Sequence, residues 1–196
     1  AMVVLDTLPN LYDKIKLKVA YLGRREYSVK EMLDLLLVRS DNNIAEILSK
    51  NFLASRDTFI AAMNNKARQI GMTTAEFVDP SGLGAGNRAT ARDIARMVLT
   101  SASYPAIRDS SMPNIDVETG TKKGLRTVSL PNTNHRILTE FNNVVVSKTG
   151  TTNAAGKCVA MVVEKKGQTY AVVVLGEPNG ARRDYEARNL IYNYLD

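Results

Sequence analysis

Apolar residues in the first half of the chain recur every three or four positions, as they do on one face of a helix, and short polar junctions interrupt them. Ser28 and Glu31 form the pattern of a capping box and predict a helix that ends near Arg39. The same spacing predicts a second helix over 43–52 and a third over 55–71. The first half is therefore predicted to be a cluster of helices.

The last third of the chain changes to β-branched runs separated by glycine-bearing turns. Residues 144–148, 157–164 and 169–175 predict adjacent antiparallel strands, the last two joined by a hairpin at 166–167. A helix over 182–194 then follows. Helices first, a strand meander next and a final helix predict an α+β fold, in which that helix covers an antiparallel sheet.

The chain length favours one compact domain. A chain of 196 residues, 44% of them apolar, can bury one good core but is short for two independent domains. Within a single domain over 1–196 we expect a helical subdomain over about 25–130 and a sheet subdomain over 140–196. The longest apolar runs, at 159–163 and 172–175, are far below the roughly 20 residues that a membrane-spanning helix needs.

Charge and rare residues exclude several function classes. The formal net charge is +6, but Lys and Arg are scattered among 20 acidic residues without a basic block, so nucleic-acid binding is not expected. A mild attraction to an anionic polymer fits the charge as well. With one cysteine, Cys158, and one histidine, His135, a Cys-rich zinc site and an internal disulfide are excluded by count. Cys158 lies in an apolar stretch and is predicted to be a buried thiol.

Two short motifs carry the candidate chemistry. Ser-Asp-Asn occupies 40–42 at a predicted helix-to-helix junction, and Lys-Thr-Gly occupies 148–150 at the end of a predicted strand. Alone, the first is equally an ordinary N-cap for a helix starting at Asn43, and the second is a strand end followed by a turn. Their conjunction, in this order and each in a suitable context, is much harder to obtain by chance.

On these motifs the chain resembles the serine penicillin-recognising enzymes, whose site is built from Ser-x-x-Lys, then Ser-x-Asn, then Lys-Thr-Gly on the edge strand of a sheet. The stretches 58–71, 77–96, 132–135 and 148–158 look like the low-molecular-mass DD-peptidases, especially the penicillin-binding protein 7 endopeptidase branch. The resemblance runs from residue 1 to 196. It implies a penicillin-binding and β-lactamase-like transpeptidase fold.

The resemblance implies three catalytic residues. Ser40 would relay a proton to the leaving amine, and Asn42 would hydrogen-bond the substrate amide and help to orient a base lysine. Lys148 would add positive charge that suits a terminal carboxylate and keeps a neighbouring lysine deprotonated, because like charges disfavour each other's ionised form.

The resemblance also implies four substrate-binding residues. Thr149 would offer its hydroxyl to the carboxylate, and Gly150, without a side chain, would let the substrate backbone lie along the strand. The N–H of Thr151 would be one of two oxyanion donors. Arg183 occupies a place where some relatives put a carboxylate-binding arginine, although a solvated charge beside Arg182 and Glu186 fits that position equally well.

The chain departs from the family pattern in one respect, because it contains no Ser-x-x-Lys. Ser147-Lys148 comes nearest, with the lysine directly after the serine. In this family residues resembling 1–6 follow the tetrad closely, so we expect the nucleophile just upstream of Ala1 and this chain to be a piece of an active enzyme. Its first strands would then be missing too, leaving an open sheet edge. The alternative is a pseudoenzyme that keeps the binding groove.

The implied activity is a serine DD-peptidase that acts on peptidoglycan stem peptides in the periplasm through an acyl-enzyme, without a metal or cofactor. The resemblance favours an endopeptidase that cuts the D-Ala to diaminopimelate crosslink, with a D-alanyl-D-alanine carboxypeptidase as the alternative. β-Lactam antibiotics would acylate the same serine. A class A β-lactamase would need a Glu-x-x-Leu-Asn-type loop, which does not occur between Asn42 and Lys148. A peptidoglycan-binding module without catalysis would keep the same groove residues.

Overall fold

The structure is a computed structural model that describes residues 1–8, 12, 14–19, 22, 26–121 and 123–195. Its helices are α1 (Met2–Thr7), α2 (Val29–Val38), α3 (Asn42–Asn51), α4 (Arg56–Gln69), α5 (Ala91–Ser101), α6 (Pro105–Asp109), α7 (His135–Glu140) and α8 (Gly180–Leu195). Its strands are β1 (Lys16–Lys18), β2 (Glu26–Ser28), β3 (Asn114–Thr121), β4 (Gly124–Pro131), β5 (Val144–Thr152), β6 (Gly156–Lys165) and β7 (Gln168–Glu177). The α+β class predicted from the sequence is confirmed.

Side-chain caps set the starts of the helices in the first half. The predicted capping box of Ser28 and Glu31 is present at α2, and Thr90 forms another with Asp93 at α5. The cap of α3 lies one residue earlier than predicted, since the Asp41 carboxylate accepts from the first backbone N–H groups. Each cap satisfies amides that have no partner within the helix.

The last third forms the predicted antiparallel sheet, with strand order β5-β6-β7. Lys166 and Gly167 have φ of 51° and 74°, the left-handed conformation that a two-residue hairpin requires. The strands extend beyond their predicted ends because they continue through the Gly-bearing segments. Within the described residues no other strand pairs with the outer edges of β5 and β7.

Two apolar cores lie on opposite faces of this sheet. One contains α2, α3 and residues such as Val146 and Val162 of the sheet. The other contains Met161, Val163 and the buried side of α8 at Ala187. Because side chains alternate along a strand, neighbouring residues of β6 serve different cores, and the sheet holds the helical half against α8.

The structure adds a long hairpin that the sequence pattern did not predict. Strands β3 and β4 pair over their whole lengths and are largely exposed, so few apolar positions mark them. The hairpin falls inside the predicted helical subdomain, whose division from the sheet subdomain stays a prediction. Arg25, Lys122 and Asp196, which lie within the predicted bounds, are outside the described residues.

Two smaller findings concern the surface. The thiol of Cys158, predicted to be buried, is half-exposed near the start of the central strand β6, where its neighbour on β5 is Gly150, which has no side chain to cover it. Among the described residues, no helix combines the length and the apolar character needed to cross a membrane.

Candidate active site

The Ser-Asp-Asn motif forms a tight junction between two helices. Helix α2 ends at Val38 and α3 begins at Asn42, which leaves three residues for the turn. Ser40 adopts φ of 58°, a left-handed conformation that costs a non-glycine residue about 1–3 kcal/mol. Asp41 then caps α3 through its side chain. The strained turn directs the Ser40 hydroxyl towards the sheet, where Lys148 lies.

Lys148 and Ser40 meet although 108 positions separate them in the chain. The Lys148 Nζ atom donates to Ser40 Oγ at 2.7 Å and to the backbone oxygen of Thr149 at 2.7 Å. Lys148 lies on β5, at one edge of the sheet, with the α2–α3 junction opposite. The structure therefore brings together the first residues of the two predicted motifs.

The Lys148 ammonium is poorly compensated. Burial lowers its pKa from 10.5 to about 8, and none of the ion pairs found among the described residues includes it. Desolvation disfavours the charged form of a lysine, and no carboxylate in the described part of the chain forms an ion pair that would restore it. A lysine with a pKa near neutrality, hydrogen-bonded to a hydroxyl, can take part in proton transfer or attract an anion.

The segment of residues 131–134, here called the bridging segment, connects the two sides of the site. Arg39, just after α2, donates to the Pro131 carbonyl at 2.8 Å, and the Thr133 amide donates to the Val38 carbonyl at 3.0 Å. On the other side, Thr149 Oγ1 donates to Thr133 Oγ1 at 2.7 Å. Thr133 thus contacts both the end of α2 and strand β5.

Behind the Lys-Thr-Gly motif lies a buried polar network. Asn134 Nδ2 donates to Ser147 Oγ at 2.8 Å, and the Ser147 amide donates to Ser111 Oγ at 3.0 Å. Asn134 Oδ1 is buried without a hydrogen-bond partner in the described structure. Such networks fix side chains and backbone firmly, so this one holds β5 immediately behind Lys148.

The backbone of β5 offers donors to the groove. Because the Ser147 amide points away from β6 to Ser111, the amides of Thr149 and Thr151 point the same way under the two-residue alternation of a strand. A Cβ built on Gly150 would lie 3.7 Å from the Cys158 Cβ, an ordinary contact. The protein interior does not demand a glycine there, which favours a role in keeping the groove open.

The remaining predicted residues differ in their surroundings. Asn42 is exposed in the first turn of α3, and Thr151 is exposed on β5. Arg183 is only 9% exposed, and its guanidinium donates to Asp184 Oδ1 at 2.9 and 2.6 Å. It is therefore not the solvated charge that the sequence offered as an alternative, and two of its donors are bonded to Asp184. The solvated pair is formed by Arg182 with Glu186.

His135 and the glycine-bearing loop of residues 79–87 occupy structural positions. His135 Nδ1 lies 3.1 Å from the Pro113 carbonyl. In the loop, the Asp79 carboxylate accepts from the amides of Ser81, Gly82 and Gly84 and from the Ser81 hydroxyl, at 2.6–2.8 Å, and from the Asn87 side chain. Burial acts to raise the pKa of Asp79, but these hydrogen bonds outweigh it and lower the pKa to about 2.

Sequence reasoning gave no role to Thr133, Asn134 or Ser111. The stretch 132–135 entered the prediction only through family likeness, and the contacts of its side chains depend on chain segments far away. As for metals, no group of three or more His, Cys, Asp or Glu side chains suited to binding one occurs in the parts of the chain that the structure describes.

Comparison with known proteins agrees with this geometry. The profile of a family described as D-alanyl-D-alanine carboxypeptidase matches residues 11–179. A D-alanyl-D-alanine endopeptidase of Escherichia coli is 36% identical over 188 residues, which cover 89% of this chain and 60% of that protein. One of Pseudomonas aeruginosa is 33% identical, covering 82% of this chain and 55% of its own length. The chain thus spans little more than half the length of these relatives.

Solved structures share the fold at low sequence identity. The Streptomyces K15 DD-transpeptidase superposes with a TM-score of 0.85 at 22% identity, over 97% of this chain and 82% of that one. A D-alanyl-D-alanine carboxypeptidase of Mycobacterium tuberculosis gives 0.79 at 23% identity, over 98% and 76%. At these identities the likeness concerns the fold alone, and it confirms the transpeptidase-like fold predicted from the sequence.

Proposed function

The chain belongs to the D-alanyl-D-alanine carboxypeptidase family of serine peptidases, and from this premise we propose that the protein containing it is a DD-peptidase. Its substrates would be peptidoglycan stem peptides, cleaved through a serine acyl-enzyme. The observation that carries the proposal is the 2.7 Å contact between Lys148 Nζ and Ser40 Oγ. A half-desolvated lysine paired with a hydroxyl is suited to passing a proton to a leaving amine.

The nucleophile of the reaction lies outside these 196 residues in this proposal, since the chain contains no Ser-x-x-Lys. The relatives are longer than the stretch they share with this chain, which leaves room for the missing motif. The serine oxygen bonds to the D-Ala carbonyl carbon as its proton passes to a base. Ser40 donates a proton to the leaving nitrogen as the peptide bond breaks, and is reprotonated by way of Lys148. Water then hydrolyses the ester.

The substrate would lie along the outer edge of β5. The outward amides of Thr149 and Thr151 would pair with the extended peptide, and the latter would also donate to the oxyanion. Gly150 leaves space for the peptide backbone. Asn42, exposed on α3 across the groove, would hydrogen-bond the substrate amide. The carboxylate of the substrate would lie near Thr149 and Lys148. Arg183 would contribute to this site through the guanidinium N–H groups that its two hydrogen bonds to Asp184 do not use.

Within this class an endopeptidase that cuts the D-Ala to diaminopimelate crosslink is favoured, because the relatives above 30% identity are named endopeptidases. A carboxypeptidase is the second candidate, supported by the family description and by more distant relatives with that name. Incubation of the full-length protein with muropeptide dimers and with a monomeric pentapeptide separates the two. Cleavage of the pentapeptide alone would contradict the endopeptidase assignment.

Labelling with a fluorescent penicillin tests the reaction itself, because a β-lactam acylates the same serine in this proposal. The labelled full-length protein is digested, and mass spectrometry locates the modified peptide. We expect one label on a serine that precedes Lys by three positions, and loss of labelling when that serine is replaced by Ala. A folded protein that takes up no label would contradict the enzyme proposal and favour a peptidoglycan-binding pseudoenzyme. The substrate also places the protein in the periplasm in this proposal.

A further inference from the structure

Thr133 is the residue of the groove that neither motif includes. Its side chain is exposed, whereas that of Thr149 is only 8% exposed. The two hydroxyl oxygens are 2.7 Å apart, with Thr149 as the donor. A side chain that is open to the groove and directly bonded to a proposed ligand of the substrate can itself touch that substrate.

The direction of this hydrogen bond decides which proton remains available. A threonine hydroxyl has one proton and two lone pairs. Because the Thr149 hydroxyl donates its hydrogen bond to Thr133 Oγ1, the O–H available to donate to a ligand in the groove is that of Thr133. A hydroxyl that accepts one hydrogen bond also donates a stronger one, since bonds in a chain polarise each other.

The position of Thr133 is fixed independently of its hydroxyl. Its amide donates to the Val38 carbonyl at the end of α2, and the Arg39 side chain holds Pro131 two residues earlier. Removing the hydroxyl therefore leaves the backbone of the bridging segment anchored. The positive charge of Lys148, on the same strand as Thr149, makes this part of the groove favourable for an anion.

We infer that Thr133 is a specificity-determining residue, whose hydroxyl donates to the carboxylate of the substrate while it accepts the hydrogen bond from Thr149. This inference rests on the proposed function and refines it. The chemical class recognised is a peptide with a free carboxylate on the residue that follows the scissile bond. In a carboxypeptidase substrate this is the terminal D-Ala, and in a crosslink it is the carboxylate at the D-centre of diaminopimelate.

The test compares two peptides that end in D-Ala-D-Ala, one with a free carboxylate and one with a carboxamide, as substrates of the full-length protein. In Thr133→Val, which keeps the side-chain shape, we expect kcat/KM for the free acid to fall by roughly ten-fold, mainly through KM. For the amide we expect a change within about two-fold. Thr133→Ser should restore the preference for the acid, because it retains the hydroxyl.

Thr139→Val is the matched control. Thr139 is exposed on α7, only six residues away, and its hydroxyl bonds within its own helix to the His135 carbonyl. This variant should keep the wild-type ratio of the two substrates. Thermal unfolding of each variant shows whether the protein remains folded. If Thr133→Val does not fold, the ratio of kcat/KM for the acid and the amide is measured in Thr133→Ser and Thr133→Ala instead.

The possible outcomes separate the inference from the function on which it rests. If Thr133→Val weakens acid and amide equally, or changes neither, Thr133 does not select the carboxylate and the inference is wrong, while the peptidase assignment stands. If the wild-type protein turns over neither peptide nor a crosslinked dimer, the proposed function fails and the inference fails with it.

Discussion

Asp79 and Lys148 are both charged side chains withdrawn from water, and the protein treats them in opposite ways. The Asp79 carboxylate accepts five hydrogen bonds from its own loop. Lys148 has two neutral oxygen acceptors, Ser40 Oγ and the Thr149 carbonyl. The pKa of Asp79 is lowered to about 2, which favours its charged form, and the pKa of Lys148 is lowered to about 8, which disfavours its charged form.

The difference shows how to separate an anchor from a reactive group. A fully satisfied buried charge holds a loop together and has no interaction left for a ligand. A charge that is desolvated and has too few partners can still form a favourable hydrogen bond or ion pair with a substrate, or can give up its proton. By this criterion we expect Asp79 to be structural and Lys148 to be functional, although both stretches of sequence resemble the same family.

The largest expected effects come from replacing each charged residue in turn and measuring both stability and the reaction with penicillin. Asp79→Ala should lower the free energy of unfolding by about 2–3 kcal/mol, because buried donors lose their acceptor. The folded fraction of this variant should still react with penicillin at nearly the wild-type rate. Lys148→Met should slow that reaction by at least about a hundred-fold. Its stability at pH 7 should stay within about 1 kcal/mol of wild type, since the removal of an ill-compensated buried charge offsets the lost hydrogen bonds.

Chemical denaturation and penicillin labelling of the same preparations measure both quantities. Asp116→Ala is the control, because Asp116 is exposed on β3 and away from either group. It should leave stability and labelling unchanged. A large loss of stability in Lys148→Met, without a loss of labelling, would reverse the assignment.

The second test uses pH. Folding lowers the pKa of Lys148 from 10.5 to about 8, so the unfolded chain binds more protons between these values and the folded state gains stability as the pH rises. The stability of wild type relative to Lys148→Met should therefore increase by about 1–3 kcal/mol from pH 8 to 10.5.

Asp79 should show a dependence of the same sign in a lower pH range, because folding lowers its pKa as well. Its folded pKa of about 2 lies below the ordinary 3.8, so its contribution is complete above pH 4 and is lost as the pH falls through 2. Comparison of wild type with Asp79→Asn, by denaturation at each pH, measures this term. If the difference in the free energy of unfolding between wild type and either variant did not change with pH, the pKa of that residue would not be shifted by folding as described.

The smallest expected effect concerns the left-handed backbone conformation of Ser40, a non-glycine residue. Ser40→Gly should be more stable than Ser40→Ala by about 1 kcal/mol, because both lack the hydroxyl and only glycine adopts φ of 58° freely. Both should lose activity. At Ser49, inside α3, the order should be reversed by a similar amount, since alanine is the better helix former. Thermal unfolding of the four variants decides the point, and equal stabilities at position 40 would exclude strain there.

Local patterns predicted much of the fold. The capping box at Ser28 and the hairpin at 166–167 follow from residues a few positions apart, and both are present. Apolar spacing likewise gave the helices of the first half and the three-stranded sheet. Strands β3 and β4 were missed because the hairpin is largely exposed, with Val117 as a buried exception, so alternation was weak.

The candidate site was predictable only as far as its motifs. The order and context of the two motifs, with the family resemblance, singled out Ser40 and Lys148, and the structure brings these two side chains together. The contacts of Thr133 and Asn134 arise from packing between distant segments, which local patterns do not encode. The pairing of Arg183 with Asp184 depends on which way a helix faces the sheet. The roles of Asn42, Thr149, Gly150 and Thr151 remain predictions.

The Ser111 hydroxyl that accepts from the Ser147 amide also has a consequence for self-association. An open strand edge is a template on which another copy of a protein can add a strand and begin to aggregate. On β5 this contact closes the edge at Ser147, and the outward amides that remain belong to Thr149 and Thr151. Two such groups can hold one short peptide in an extended conformation, but they are too few to align the strand of a second molecule.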